Sequence, residues 1–147
     1  MDLDDLRSAA NVICYTLGLQ PCEVRVGHGR VSRYVPAWAG QPPHPHVLIS
    51  QYEPDQLQAL LHELAHHVTA KHDVQAYEDA RVAQYKVAPG KPWRKRVPVS
   101  LHGPVFVEAL KSILTLWYGP DWQQHYTARE YERVATALGR PRKGRQR

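Results

Sequence analysis

The stretch Leu60-Leu61-His62-Glu63-Leu64-Ala65-His66-His67 contains the spacing H-E-x-x-H, and its reading decides the fold. On a helix, positions four apart stack on one face, so His62 and His66 can share one metal ion with Glu63 beside it. Zinc chemistry uses this order: neutral imidazoles hold the ion, an open position admits water, and the carboxylate takes that water's proton. The flanks read as helix too, because Leu57, Leu61, Leu64, Ala65 and Val68 recur at helical spacing and Pro54 and Asp55 mark a start. The competing reading is a helix that happens to show two surface histidines.

Outward toward the N-terminus, His46-Val47-Leu48-Ile49-Ser50 reads as a buried strand leading into that helix. Residues 37–45 are rich in Gly and Pro and read as loop. Cys22 to Val26 and Val31 to Val35 alternate, and Gly27-His28-Gly29-Arg30 between them has hairpin composition, with His28 exposed. Leu3, Leu6, Ala10, Ile13 and Leu17 predict an amphipathic helix over Asp2–Leu17 that Gly18 closes. This order lays a strand beside the metal, where an extended peptide could add as a further strand. His44 and His46 fall near that edge without a ligand spacing and read as ordinary polar residues.

Outward toward the C-terminus, residues 73–85 predict a helix with Val74, Tyr77, Arg81 and Tyr85 on one mixed face, its start blurred by Lys71 and His72. Three prolines in 87–98 forbid regular structure, and Trp93 there sits among cations, where it could stack on an unpaired base or pin its loop to the body. Phe106, Leu110, Ile113, Leu114 and Trp117 predict a strong helix ending at Gly119-Pro120, with Pro104 in its first turn. Ala128 to Leu138 predicts a last short helix with Tyr131, Val134, Ala135 and Leu138 inward. No internal repeat is visible.

A catalytic zinc site of this type needs a third protein ligand. His72 completes H-E-x-x-H-x-x-T-x-x-H, but that geometry wants glycine where Thr69 stands, and the only methionine is Met1, so no Met-turn follows. Glu78 and Glu108 are carboxylates on later helices. His102 is preferred: it stands before Gly103-Pro104 at the mouth of an amphipathic helix, whose dipole disfavours a protonated imidazole.

His62-Glu63-Leu64-Ala65-His66 followed by His102-Gly103-Pro104-Val105-Phe106 resembles the SprT-like metallopeptidases, the group that includes SprT and Spartan. The likeness spans about residues 1–118, with its specific part in these two motifs. It implies one zinc ion held by His62, His66 and His102, with Glu63 catalytic. It also implies a protein or peptide substrate, and a link to DNA such as Spartan has in cleaving proteins crosslinked to it. Two departures stand out: a long segment between His66 and His102, and no cysteine-based zinc module after the domain. The expected fold is α+β and zincin-like: an N-terminal helix, a small three-stranded, mainly antiparallel sheet, the H-E-x-x-H helix, then further helices.

Length and charge fit that picture. The 147 residues suit one domain, 1–139, with a basic loop at 86–101 and a basic, disordered tail at 140–147. Lys86, Lys91, Arg94, Lys95 and Arg96 form one acid-free group, and Arg140, Arg142, Lys143, Arg145 and Arg147 another. The other nine basic residues face fourteen acids, so the +5 net charge lies entirely in those two groups. Such asymmetry points to a polyanion, DNA first, contacted through Lys91, Arg94, Lys95, Arg96 and the tail. The acidic start Met1-Asp2-Leu3-Asp4-Asp5 is unlike a signal peptide, no apolar run approaches a membrane span, and Cys14 and Cys22 match no redox or zinc spacing. A cytoplasmic location with reduced cysteines follows as the expectation. Two rival functions remain: a non-catalytic nucleic-acid-binding module with structural zinc, and a peptidase with one dedicated protein substrate and no DNA role. The oxyanion donor stays open among His67, His125, Tyr77 and several arginines, and oligomeric state is unread.

Overall fold

The computed structural model describes residues 1–36, 44–87 and 101–140, and in it six helices and three strands make an α+β unit. The first helix, α1 (Leu3–Thr16), starts at a capping box in which the Asp2 side chain accepts from the Asp5 N–H and Asp5 returns the bond. It buries Leu6, Ala9, Ala10, Ile13 and Cys14, while Leu17 turns partly outward at the cap. Gly18 adopts φ 65°, which lets Leu19 bond back to the Cys14 carbonyl at 2.8 Å.

The strands are β1 (Glu23–Gly27), β2 (Arg33–Val35) and β3 (His46–Ser50). They do not form the expected hairpin. The order is β1-β3-β2, with β1 parallel to β3 and β2 antiparallel to it, so the sheet is mixed rather than mainly antiparallel. The reason lies in β3, the most apolar strand: Val47 and Ile49 are fully buried, and the central place lets both its edges pair. The more polar β1 and β2 become edges, with Arg25 and Arg33 outward. Cys14 and Cys22 are buried free thiols between α1 and this sheet, and His28 is exposed as expected.

The H-E-x-x-H segment is helical as read. Helix α2 (Gln56–Val68) starts at Asp55, whose side chain accepts from the Gln58 N–H at 3.0 Å. Leu60, Leu61, Leu64 and Ala65 are fully buried, whereas Val68 lies at the margin. At Thr69 the chain keeps φ −94° and enters α3 (Ala70–Val87) directly. That helix is longer than the predicted 73–85 and assigns both Lys71 and His72 to itself.

Helix α4 (Pro104–Tyr118) has Gly103 as N-cap and Pro104 in its first turn, and Gly119 ends it at φ 89°. It packs Phe106, Leu110, Ile113 and Leu114 into the common core. A short helix the periodicity did not show, α5 (Trp122–His125), follows, and α6 (Glu132–Ala137) starts four residues later than predicted. The shift has a cause: the backbone of 126–128 bonds to side chains instead, with the Thr127 N–H on Gln58 Oε1 at 3.0 Å and the Tyr126 and Ala128 carbonyls on Arg140. Val134 and Leu138 are inward, but Tyr131 is 66% exposed and faces the site described below. Arg140 therefore packs on the body. The Gly/Pro loop from 37 to 43, the Trp93 segment with Lys91, Arg94, Lys95 and Arg96, and residues 141–147 lie outside the described residues. No described helix is long and apolar enough to cross a membrane.

Candidate metal centre

His62 and His66 leave α2 on one face, and His102 meets them from the turn before α4. His102 Nε2 lies 3.3 Å from His62 Nε2 and 3.2 Å from His66 Nε2. The three are close enough to hold one metal ion, and they are the only such group among the described residues. Phe106, one turn into α4 and 1% exposed, lies against all three imidazoles, with ring centroids 4.9, 4.5 and 4.9 Å from His62, His66 and His102. The H-G-P-V-F sequence thus supplies both a donor and the platform under it. Phe106→Ala is expected to cost about 3–5 kcal/mol in a denaturant melt, the usual range for a fully buried phenylalanine, since it empties space beneath three rings at once.

With its three rings neutral, this cluster is poorly satisfied by hydrogen bonding. Glu130 Oε1 sits 2.8 Å from His62 Nδ1, so in the neutral ring the proton is at Nδ1 and Nε2 carries a lone pair. His102 Nε2 has two ring nitrogens within reach but one proton at most to give. With all three rings neutral, the single proton or lone pair of His102 Nε2 cannot serve two well-directed hydrogen bonds, whereas a cation among the three rings would meet a lone pair from each.

The surrounding charges prepare the donors. Burial, then the neighbouring His62 and His102, push His66 down to about 3. Burial and His62 also lower His102. For His62 burial acts downward but is outweighed by the bond and charge of Glu130, with Glu63 and Glu53 behind it, and its pKa is raised. His66 is therefore already neutral near pH 6, and His102 holds its proton less firmly than a free imidazole. In a Glu63→Gln chain, metal binding at about pH 6 is expected to release fewer protons than the roughly two that three unperturbed histidines would release, because His66 enters the site neutral. Calorimetry in buffers of different ionisation enthalpy counts them, and a release of two or more contradicts this charge arrangement.

No family model, curated protein or solved structure matches the chain significantly.

Glu63 is 8% exposed, and its carboxyl is pushed up to about 7 by burial, against the pull of His62 and of the Tyr34 N–H that donates to it. Edge strand β2 thus reaches the carboxylate through its backbone. A cleft of about 1150 Å³ opens over the cluster, walled by Tyr34, Tyr77, Leu101, Arg129 and Tyr131. Tyr131 rests its ring 4.9 Å from that of His102.

The rival third ligands lie elsewhere. The His72 side chain is 57% exposed and 3.4 Å from Asp73. Glu78 pairs with Arg81 at 3.8 Å, and Glu108, 75% exposed, with Lys111 at 3.6 Å. His67 is neither at the site nor on the surface: it is buried, bonding the Gln20 carbonyl through Nε2 at 2.7 Å and the Tyr34 hydroxyl through Nδ1 at 2.8 Å. It ties α2 to β2 and to the turn before β1. His125 stacks on Tyr118 and pairs with Asp121 at 3.5 Å. His46 is buried in β3 and His44 exposed beside it, both outside the cluster. Sequence reasoning missed Glu130, because a lone glutamate in a stretch read as helix carries no signal; only the fold brings it to His62.

Proposed function

We propose that the chain is a zinc-dependent metallopeptidase with a SprT-like site, acting on protein or peptide substrates. The observation that carries this reading is the spacing of the donors together with the position of Glu63. A tetrahedral zinc ion with bonds of about 2.0–2.1 Å sets its nitrogens about 3.3 Å apart. The contacts of 3.2 and 3.3 Å agree. An all-imidazole donor set suits zinc among the divalent ions. His62, His66 and His102 would hold it, leaving the fourth position to the cleft.

A bound zinc ion supplies Lewis-acid polarisation of the scissile carbonyl and acidifies a water. The rest falls to the chain. Glu63, buried beside the imidazoles with a pKa of about 7, can accept the proton of the attacking water and return it to the leaving amine at neutral pH. Glu130 holds the His62 ring by its Nδ1–H, which fixes the tautomer and aims Nε2 inward. Tyr77, Arg129 and Tyr131 line the cleft as donors for a developing oxyanion.

Zinc-edge X-ray absorption of the loaded protein tests the reading. Three imidazoles and one oxygen are expected, the signature of a catalytic site; a fourth protein ligand, or sulfur at about 2.3 Å, would make the zinc structural. A DNA-linked role is the further part of the proposal, supported by the two basic groups of the sequence. Affinity for duplex DNA is then expected to fall at least about 10-fold between about 50 and 200 mM salt, as phosphate contacts require. Salt-insensitive binding, or none, leaves a peptidase without that role.

A further inference from the structure

Residues 126–131, between α5 and α6, bring two side chains to the metal centre: Glu130 to His62 and the Tyr131 ring to His102. This strap is held from two sides. On one side is Gln58, buried one turn ahead of His62 on α2, whose amide donates to the His125 carbonyl at 2.7 Å and accepts from the Thr127 N–H at 3.0 Å. On the other is Arg140, whose guanidinium donates to the Tyr126 and Ala128 carbonyls and lies 4.7 Å from the Tyr126 ring centroid. Tyr126 is 1% exposed, and its hydroxyl donates to Glu130 Oε1, the same oxygen that accepts from His62 Nδ1.

A continuous path of contacts therefore runs from Arg140 through Tyr126 and Glu130 to a metal ligand. We propose that Arg140, the first residue of the basic tail, is a positioning residue of the metal centre: it holds the strap so that Glu130 orients His62. The physical basis is the backbone. Outside a helix, the Tyr126 and Ala128 carbonyls need donors from elsewhere, and one planar fork meets both at once while covering the ring between them. Without it the strap loses its C-terminal anchor, and Glu130 loses the fixed place from which it accepts the His62 proton. The inference rests on the metal reading of the three histidines and is independent of hydrolysis.

The test is zinc affinity in the full-length chain, measured by competition with a chromophoric chelator. Glu130→Ala is expected to weaken binding about 10–100-fold, as loss of an outer carboxylate on a metal-bound histidine does, and Arg140→Ala about 10-fold. Arg140→Lys recovers only part, since an ammonium lacks the fork that spans two carbonyls. Arg142→Ala, which removes the same charge, stays within about twofold of wild type. The deciding readout is the double variant: if Arg140 acts through Glu130, adding Arg140→Ala to Glu130→Ala costs no more than about a further twofold. Fully additive losses, or an Arg140→Ala affinity equal to wild type, overturn the proposal. Should Arg140→Ala fail to fold, the same cycle with Arg140→Lys decides. A wild-type chain that binds no zinc overturns the metal reading itself, and this inference falls with it.

Discussion

A zinc-loaded Glu63→Gln chain is expected to keep its metal and lose peptide hydrolysis by about 100- to 10,000-fold, the span that a positioned general base contributes. The substitution is nearly isosteric, and the new amide oxygen can still accept from the Tyr34 N–H. Packing around this 8%-exposed side chain should survive, and none of the three histidines loses a partner. What disappears is a carboxylate held near pH 7 beside the donors. Removing the buried carboxyl also relieves a desolvation cost, so the variant should be no less stable than wild type. Elemental analysis and initial rates on one preparation check both halves. Turnover within about tenfold of wild type at full occupancy would remove Glu63 from the role of base.

The second large effect concerns the third ligand. His102→Ala is expected to weaken zinc binding by more than about 100-fold, beyond the range seen when only an outer partner of a ligand is lost. His72→Ala, Glu78→Ala and Glu108→Ala should each stay within about twofold of wild type, because their side chains are substantially exposed and sit in surface pairs away from the cluster. The distinction was open from sequence, where His72 matched a known ligand spacing. The structure keeps His72 away from the cluster of His62, His66 and His102. Thr69 keeps φ −94° and passes the chain into α3, so His72 continues on a helix instead of returning to the three histidines. A β-branched residue at that position resists the left-handed turn that a glycine would allow. Loss of zinc in the His72 variant with retention in the His102 variant would reverse the assignment.

What was legible in the sequence is what repeats or is local. The apolar stripes of α1, α2 and α4, the Asp55 cap and the Gly119 stop are local signals, and each element formed where its pattern lay. His62, Glu63 and His66 needed only helical spacing. His102 needed packing, and its position before a strong amphipathic helix was enough to favour it. Strand pairing was not legible: alternation in β1 and β2 with a Gly-rich turn looks like a hairpin, and only competition for the central place, won by the more apolar β3, splits them. Nor was the stretch before α6 legible. The helix read from Ala128 starts only at Glu132, because the backbone of 126–128 is held by Gln58 and Arg140, which lie 69 and 13 positions from Thr127 and can be matched to it only once the chain is folded. Glu130 was hidden for the same reason. His67 stayed open among the oxyanion donors because helical geometry says which way a side chain points but not what stands there, and what stands there is Tyr34.

The most direct measurement of the central claim is a zinc titration of the metal-free, full-length protein during cleavage of an unfolded polypeptide substrate. Hydrolysis is predicted to be absent without metal, to rise linearly with zinc and to level off at one equivalent per chain, with a chelator reversing it. Full occupancy of the three histidines with no cleavage, or cleavage that ignores the metal, would contradict a peptidase built on His62, His66, His102 and Glu63.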